Sequence, residues 1–235
     1  MLYNTKITIT KNRVRVIKTN KKLEVGYERK VNRYNYEKAS EGDKSDYSFK
    51  RALDNLVLTI DSNVTYYSKF ITLTFANTIL DYKQAMRKFN IFTYNFKRKF
   101  GQKLLYTRIS ERQRERGKEE NNDGSWHFHL IVYINKKLDF KLLKSCWPWG
   151  SVDLKKVDNN KNLARYFGKY FSKQKSDIAL NNNLVSHSQG LKRPSVIYDI
   201  DNFVFDNYKL LYNKEYTYRD KGLTFKLSEY DISDM

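Results

Sequence analysis

Nine consecutive residues, Trp126-His127-Phe128-His129-Leu130-Ile131-Val132-Tyr133-Ile134, constrain this 235-residue chain more than any other stretch. A run so rich in aromatic and β-branched side chains fits a pleated surface and predicts the strongest strand in the protein. Side chains alternate across a strand. His127, His129, Ile131 and Tyr133 therefore share one face, while Trp126, Phe128, Leu130 and Val132 share the other. Two of the three histidines in the chain thus stand side by side. At this spacing two imidazoles can share one metal ion, or they can fill two half-exposed polar positions.

The segments around this strand suggest what packs on it. Ile7, Ile9, Val14 and Val16 alternate around Lys11-Asn12 and predict a basic-faced hairpin. Residues 30–50 are polar and weakly patterned and read as a loop or linker. Phe70-Ile71-Thr72-Leu73-Thr74-Phe75 alternates apolar residues with threonine, as a strand with one buried face does. Ala85, Phe89, Phe92, Phe96 and Phe100 recur at helical spacing with cations between them, and Gly101 follows as a C-cap, which predicts an amphipathic helix. Residues 103–111 read as a strand, 112–125 as a long charged loop, 138–146 as a short helix closed by the Trp147-Pro148-Trp149-Gly150 turn, 152–157 as a strand and 160–174 as a helix. The expected fold class is α+β, a central antiparallel sheet with helices packed on it. No internal repeat or second domain is evident.

With 40% hydrophobic and 15% aromatic residues, the chain can bury one sizeable core. It contains no apolar run of about 18 residues, so a soluble cytoplasmic protein with no membrane partner is expected. A single cysteine, Cys146, excludes an internal disulfide and is expected as buried filler. Lysine and arginine outnumber acids 45 to 26, a net charge of +19 that points to a polyanion. Residues 199–235 carry eight acids against five bases, so the basic surplus lies in residues 1–198. AT-rich coding bias inflates lysine and asparagine but does not account for Arg108, Arg112, Arg114 and Arg116.

A divalent cation that polarises phosphate wants an oxygen ligand beside imidazoles. Glu111 ends the strand before the histidine strand and is the candidate. Its alternative is an exposed partner of Arg112 or Arg114. His187, in a polar stretch, is expected in a loop and not as a ligand. In residues 160–174, Tyr166 and Tyr170 lie four apart and share a helical face. Lys169 and Lys173 each follow a tyrosine by three positions, and a nearby cation helps a phenol react as phenolate. A tyrosine and phenylalanine stripe at this spacing is also what a core helix shows, with Phe167 and Phe171 as that stripe.

Phe70–Phe75, Trp126–Val132 and Tyr166–Lys173 together resemble, in order, the three motifs of Rep-type HUH endonucleases, the rolling-circle replication initiators of small phages and plasmids. The resemblance covers about residues 68–175. The doubled Y-x-x-K-Y-x-x-K pattern looks like the two-tyrosine branch typified by microvirus replication initiators. It implies a ferredoxin or RRM-like sheet with His127, His129 and, less directly, Glu111 as ligands of Mg2+ or Mn2+. It also implies Tyr166 and Tyr170 as nucleophiles assisted by Lys169 and Lys173, a covalent 5'-phosphotyrosine and a free 3'-OH. The expected organisation is a basic hairpin and linker over residues 1–67, an endonuclease core over 68–198 and an acidic extension over 199–235.

Single-stranded DNA at a replication origin is the implied partner. Without a G-x-x-x-x-G-K-[ST] segment, unwinding falls to a helicase of the bacterial host, with its polymerase extending the 3' end. Arg108, Arg112, Arg114, Arg116 and Arg165, the basic helix 83–99 and the aromatics Trp147, Trp149 and Tyr133 are the expected phosphate and base contacts. Two further readings are an HUH-type transposase using one tyrosine and a non-catalytic module that binds single-stranded nucleic acid.

Overall fold

The structure, a computed structural model, describes residues 1–27, 30, 41–112, 124–157, 167, 184–199, 207–218 and 221–232. Along the chain run β1 (Leu2–Ile9), β2 (Arg13–Glu24), α1 (Glu41–Asn63), β3 (Lys69–Phe75), α2 (Tyr82–Phe100), β4 (Leu105–Arg112), β5 (Trp126–Tyr133), α3 (Phe140–Lys144), β6 (Gly150–Lys156), β7 (Val185–His187), β8 (Ser195–Asp199), β9 (Lys209–Tyr218) and β10 (Leu223–Asp231). The fold is α+β as expected, with two antiparallel five-stranded sheets. Two units divide the chain, Met1–Ser62 with Lys192–Met235 and Asn63–Leu191. Among the described residues, no helix is long and apolar enough to cross a membrane. The helix expected over 160–174 lies outside the described residues except for Phe167, and so do residues 113–123 of the charged loop.

In the unit Asn63–Leu191 the strand order is β6-β3-β5-β4-β7, so the aromatic run is the central strand. All eight of its residues are buried. Its Trp126, Phe128, Leu130 and Val132 face joins the buried side of α2, namely Ala85, Phe89, Phe92 and Phe96, in one core. Each fully buried phenylalanine contributes roughly 1.5–3 kcal/mol of apolar burial, and tertiary packing of this face holds a helix that would be marginal alone. Asp81 starts α2 by accepting from the backbone N–H groups of Lys83 and Gln84 at 2.9 and 3.2 Å. Gly101 ends it with φ 67° in the left-handed region.

The turn after α3 is locked onto β3. Trp147, buried in the same core, donates its indole N–H to the Thr74 carbonyl at 3.0 Å, and the Ala76 N–H donates to the Trp149 carbonyl at 2.8 Å. Cys146 is buried beside them, as expected. Gly150 pairs with Phe75, and a Cβ there would lie 2.0 Å from the Thr74 carbonyl oxygen and 2.6 Å from the Ala76 nitrogen. Only glycine fits so close a backbone approach. Gly150→Ala is expected to cost roughly 1–3 kcal/mol, at the upper end because both obstacles are backbone, as measured by urea denaturation.

The other unit holds the order β8-β1-β2-β10-β9. The predicted hairpin is present: Thr10 and Arg13 close the Lys11-Asn12 turn through a 2.9 Å backbone bond. Its basic face is not open, however. Arg13 Nη1 donates to Glu229 at 2.7 Å and its Nε stands 2.9 Å from Asp61, while Arg15 binds Glu229 at 2.8 Å and Asp54 at 3.1 Å. Burial leaves these guanidinium groups only carboxylates to replace lost water. They join β2, β10 and α1. Residues 41–50, expected in a loop or linker, are the first turns of α1, whose buried side chains Leu56, Val57 and Ile60 come only later. The segment expected as an acidic extension supplies β9 and β10 to this sheet.

Burial pushes the Asp61 carboxyl up to about 6 from 3.8, with Arg13 opposing the rise. Burial would raise Glu229 too, but Arg15 and Arg13 outweigh it and hold that carboxyl below its ordinary 4.5. Asp61 thus favours the fold when protonated, and its contribution is lost as pH rises from about 3.8 through about 6. The contribution of Glu229 is present above 4.5 and lost as pH falls through its lower folded value. Between pH 4.5 and 7 the unfolding free energy of the wild type is therefore expected to fall relative to Asp61→Asn. Urea titrations at constant ionic strength would measure the two slopes, and parallel curves would refute the assignment.

Candidate metal centre on the central strand

Antiparallel partners project to the same side of a sheet, so the register of β3, β5 and β4 decides what meets the histidines. His127 pairs with Thr74 on β3 and Glu111 on β4; His129 pairs with Thr72 and Ile109. The Thr74 hydroxyl lies 3.1 Å from His127 Nδ1, and the Thr72 hydroxyl 3.2 Å from His129 Nδ1. On His129 the other ring nitrogen, Nε2, meets a Glu111 carboxylate oxygen at 2.5 Å. His127 and His129 are 9% and 6% exposed, so neither is a half-exposed polar position. Glu111 leans on His129, not out to solvent beside Arg112.

Aromatic packing closes one side of this group. Phe70, two residues before Thr72 and on the same face, stacks against His129 with ring centroids 5.8 Å apart. Phe167, fully buried, meets Phe70 edge-on at 5.8 Å. Burial lowers the pKa of His127, repulsion from His129 adds to the drop and Glu111 opposes it. A neutral imidazole keeps a lone pair for a metal. Two imidazoles and one carboxylate suit a divalent ion that keeps open positions for phosphate oxygens and water. Among the described residues, no three His, Cys, Asp or Glu stand arranged as a finished metal cage. An ion bound here would take the Glu111 oxygen in place of its contact with His129.

Several expected contacts are placed elsewhere. His187 is no loop residue: it ends β7, is partly shielded by burial that lowers its pKa, and lies 3.0 Å through Nδ1 from the Thr107 hydroxyl. Arg108, expected on phosphate, projects to the opposite face of the sheet and is 2% exposed. Its guanidinium lies 4.8 Å from the Phe89 ring and 5.4 Å from the Phe128 ring, and Nη2 donates to the Tyr82 hydroxyl at 3.3 Å. Burial lowers its pKa. Arg112, four residues on and so also on that face, sits 5.7 Å over the Trp126 ring. Trp147 and Tyr133 are buried, Tyr133 bonding the Thr107 hydroxyl at 2.7 Å, so neither offers a surface to a base; Trp149 is half-buried beneath Lys88. The exposed cations Lys83, Arg87, Lys97 and Arg98 of α2 lie on the side of the sheet away from the histidines. Arg114, Arg116, Arg165, Tyr166, Lys169, Tyr170 and Lys173 lie outside the described residues.

Thr72 and Thr74 are the site residues that the sequence reading passes over. Their signal is an i, i+2 spacing identical to that of the histidines, which becomes meaningful only once β3 and β5 are known to pair. Residues 68–175, somewhat under half of the chain, match the model of a family described as Replication-associated protein ORF2. This stretch, similar to a replication-associated protein, holds β3, the histidine strand and Phe167. No curated protein and no solved structure matches the chain.

Arg108→Met keeps an unbranched side chain in the same slot. It is expected to leave affinity for single-stranded oligonucleotides, and the dependence of that affinity on salt, unchanged. A drop of about one in the salt slope would mean that Arg108 does reach a phosphate.

Proposed function

We propose that this protein initiates rolling-circle replication by nicking and rejoining single-stranded DNA at an origin through a tyrosine nucleophile. The observation that carries the reading is the buried pair His127 and His129 with Glu111 on one face of the central strand, inside the stretch similar to replication-associated proteins. Phe167 adds support. It follows Tyr166 directly in the chain and is packed through Phe70 onto that same face.

In this reading His127, His129 and Glu111 hold Mg2+ or Mn2+, which when bound polarises the scissile phosphate. One tyrosine hydroxyl of Tyr166 or Tyr170 loses its proton and attacks phosphorus. The bond from phosphorus to the 3' oxygen breaks, leaving a 3'-OH and a 5'-phosphotyrosine. Lys169 and Lys173 favour the phenolate. Attack by a 3'-OH on the phosphotyrosine reverses the step and rejoins the strand, and a second tyrosine allows a second cut before the first is resolved. The remaining surface cations hold the DNA backbone, and the helicase and polymerase come from the bacterial host.

A labelled single-stranded oligonucleotide tests metal, nucleophile and substrate together. The wild type is expected to form a covalent adduct that needs Mg2+ or Mn2+, and Tyr166→Phe with Tyr170→Phe is expected to form none. His127→Ala or His129→Ala should abolish the adduct while salt-sensitive binding stays within about threefold, because cations elsewhere carry binding. Binding without any adduct from the wild type would leave a nucleic-acid-binding module. Nicking and strand joining that survive Tyr170→Phe but not Tyr166→Phe would point to single-tyrosine chemistry.

A further inference from the structure

We infer that Thr72 and Thr74 are positioning residues for the two imidazoles, each hydroxyl holding the Nδ1 of the histidine directly opposite so that Nε2 is presented to the site beside Glu111. The inference rests on the metal-site reading above. Both pairs share the i, i+2 spacing, and the antiparallel register sets Thr72 against His129 and Thr74 against His127. The two contacts, 3.2 and 3.1 Å, are alike in atom and length. One strand therefore addresses both rings in the same way.

A hydroxyl suits this task because it both donates and accepts. It accepts from Nδ1–H when Nε2 gives its lone pair to an ion. It donates to Nδ1 when Nε2 carries the hydrogen, as toward the Glu111 carboxylate, so neither ring must turn between the two states. The platform is also fixed. β3 is paired on both sides, with β5 and β6, and the carbonyl of Thr74 itself receives the Trp147 indole N–H at 3.0 Å. Partners of this kind set the orientation and donor strength of a ligating imidazole.

Valine keeps the shape and strand preference of threonine but lacks the hydroxyl, whereas serine keeps the hydroxyl. The full-length chain and its Thr72→Val, Thr74→Val, double Val and double Ser variants would be titrated with Mn2+, following the paramagnetic resonance of the unbound ion. Ring 15N shifts of His127 and His129 would be recorded without metal. The double Val variant is expected to bind Mn2+ at least tenfold more weakly, and the double Ser variant within about threefold of the wild type. Ring shifts should move in the Val variants and not in the Ser variant. Wild-type affinity and unmoved shifts in the Val variants would overturn the inference. If the wild type takes up no Mn2+, the metal reading fails, and the ring shifts alone decide whether the threonines set the rings.

Discussion

Burying two imidazoles in the middle of a sheet is the constraint around which the unit Asn63–Leu191 is arranged. A central strand has both backbone edges occupied, and in β5 both faces are covered as well. Each imidazole carries two ring nitrogens, and a polar atom taken from water without a partner costs on the order of 1–3 kcal/mol. Neighbouring strands must therefore be polar at the positions opposite. That is why threonines interrupt an otherwise apolar β3 and why β4 carries a glutamate near its end. The opposite face has no such demand and is filled by aromatic rings from α2 and the Trp147 turn.

This division explains which parts of the protein could be read directly. The α2 stripe, its Gly101 cap, the Lys11-Asn12 hairpin and the two faces of β5 are local patterns, set by residues a few positions apart. Glu111 could be picked out because it closes the strand preceding the histidines. The roles of Thr72 and Thr74 could not, since they depend on which strand pairs with β5 and in which register. Arg108 misled for a related reason. A cation beside other cations reads as surface, but the period of the strand turned it inward among rings that tolerate a guanidinium face.

The unit built from both chain ends shows the same limit more sharply. Arg13 and Glu229 are 216 positions apart, and no window along the chain links them. The basic bias of one segment and the acidic bias of the other are in part the two halves of one buried ion network. α1 is obscured in the sequence because its opening turns are polar, with its apolar residues and its ionic partners Asp54 and Asp61 lying further on.

The unit Asn63–Leu191 is spliced into the middle of the other one, whose sheet needs strands from before residue 63 and after residue 191. Synthesis on the ribosome therefore completes them out of chain order. The histidine sheet has all its strands once residue 187 has emerged, whereas β1 and β2 must wait for β10 while Arg13 and Arg15 lack Glu229. Throughout that interval the nascent chain carries a finished histidine face alongside an N-terminal hairpin with an unpaired edge and two arginines short of a shared carboxylate. The last segment translated is the one that closes the first segment made.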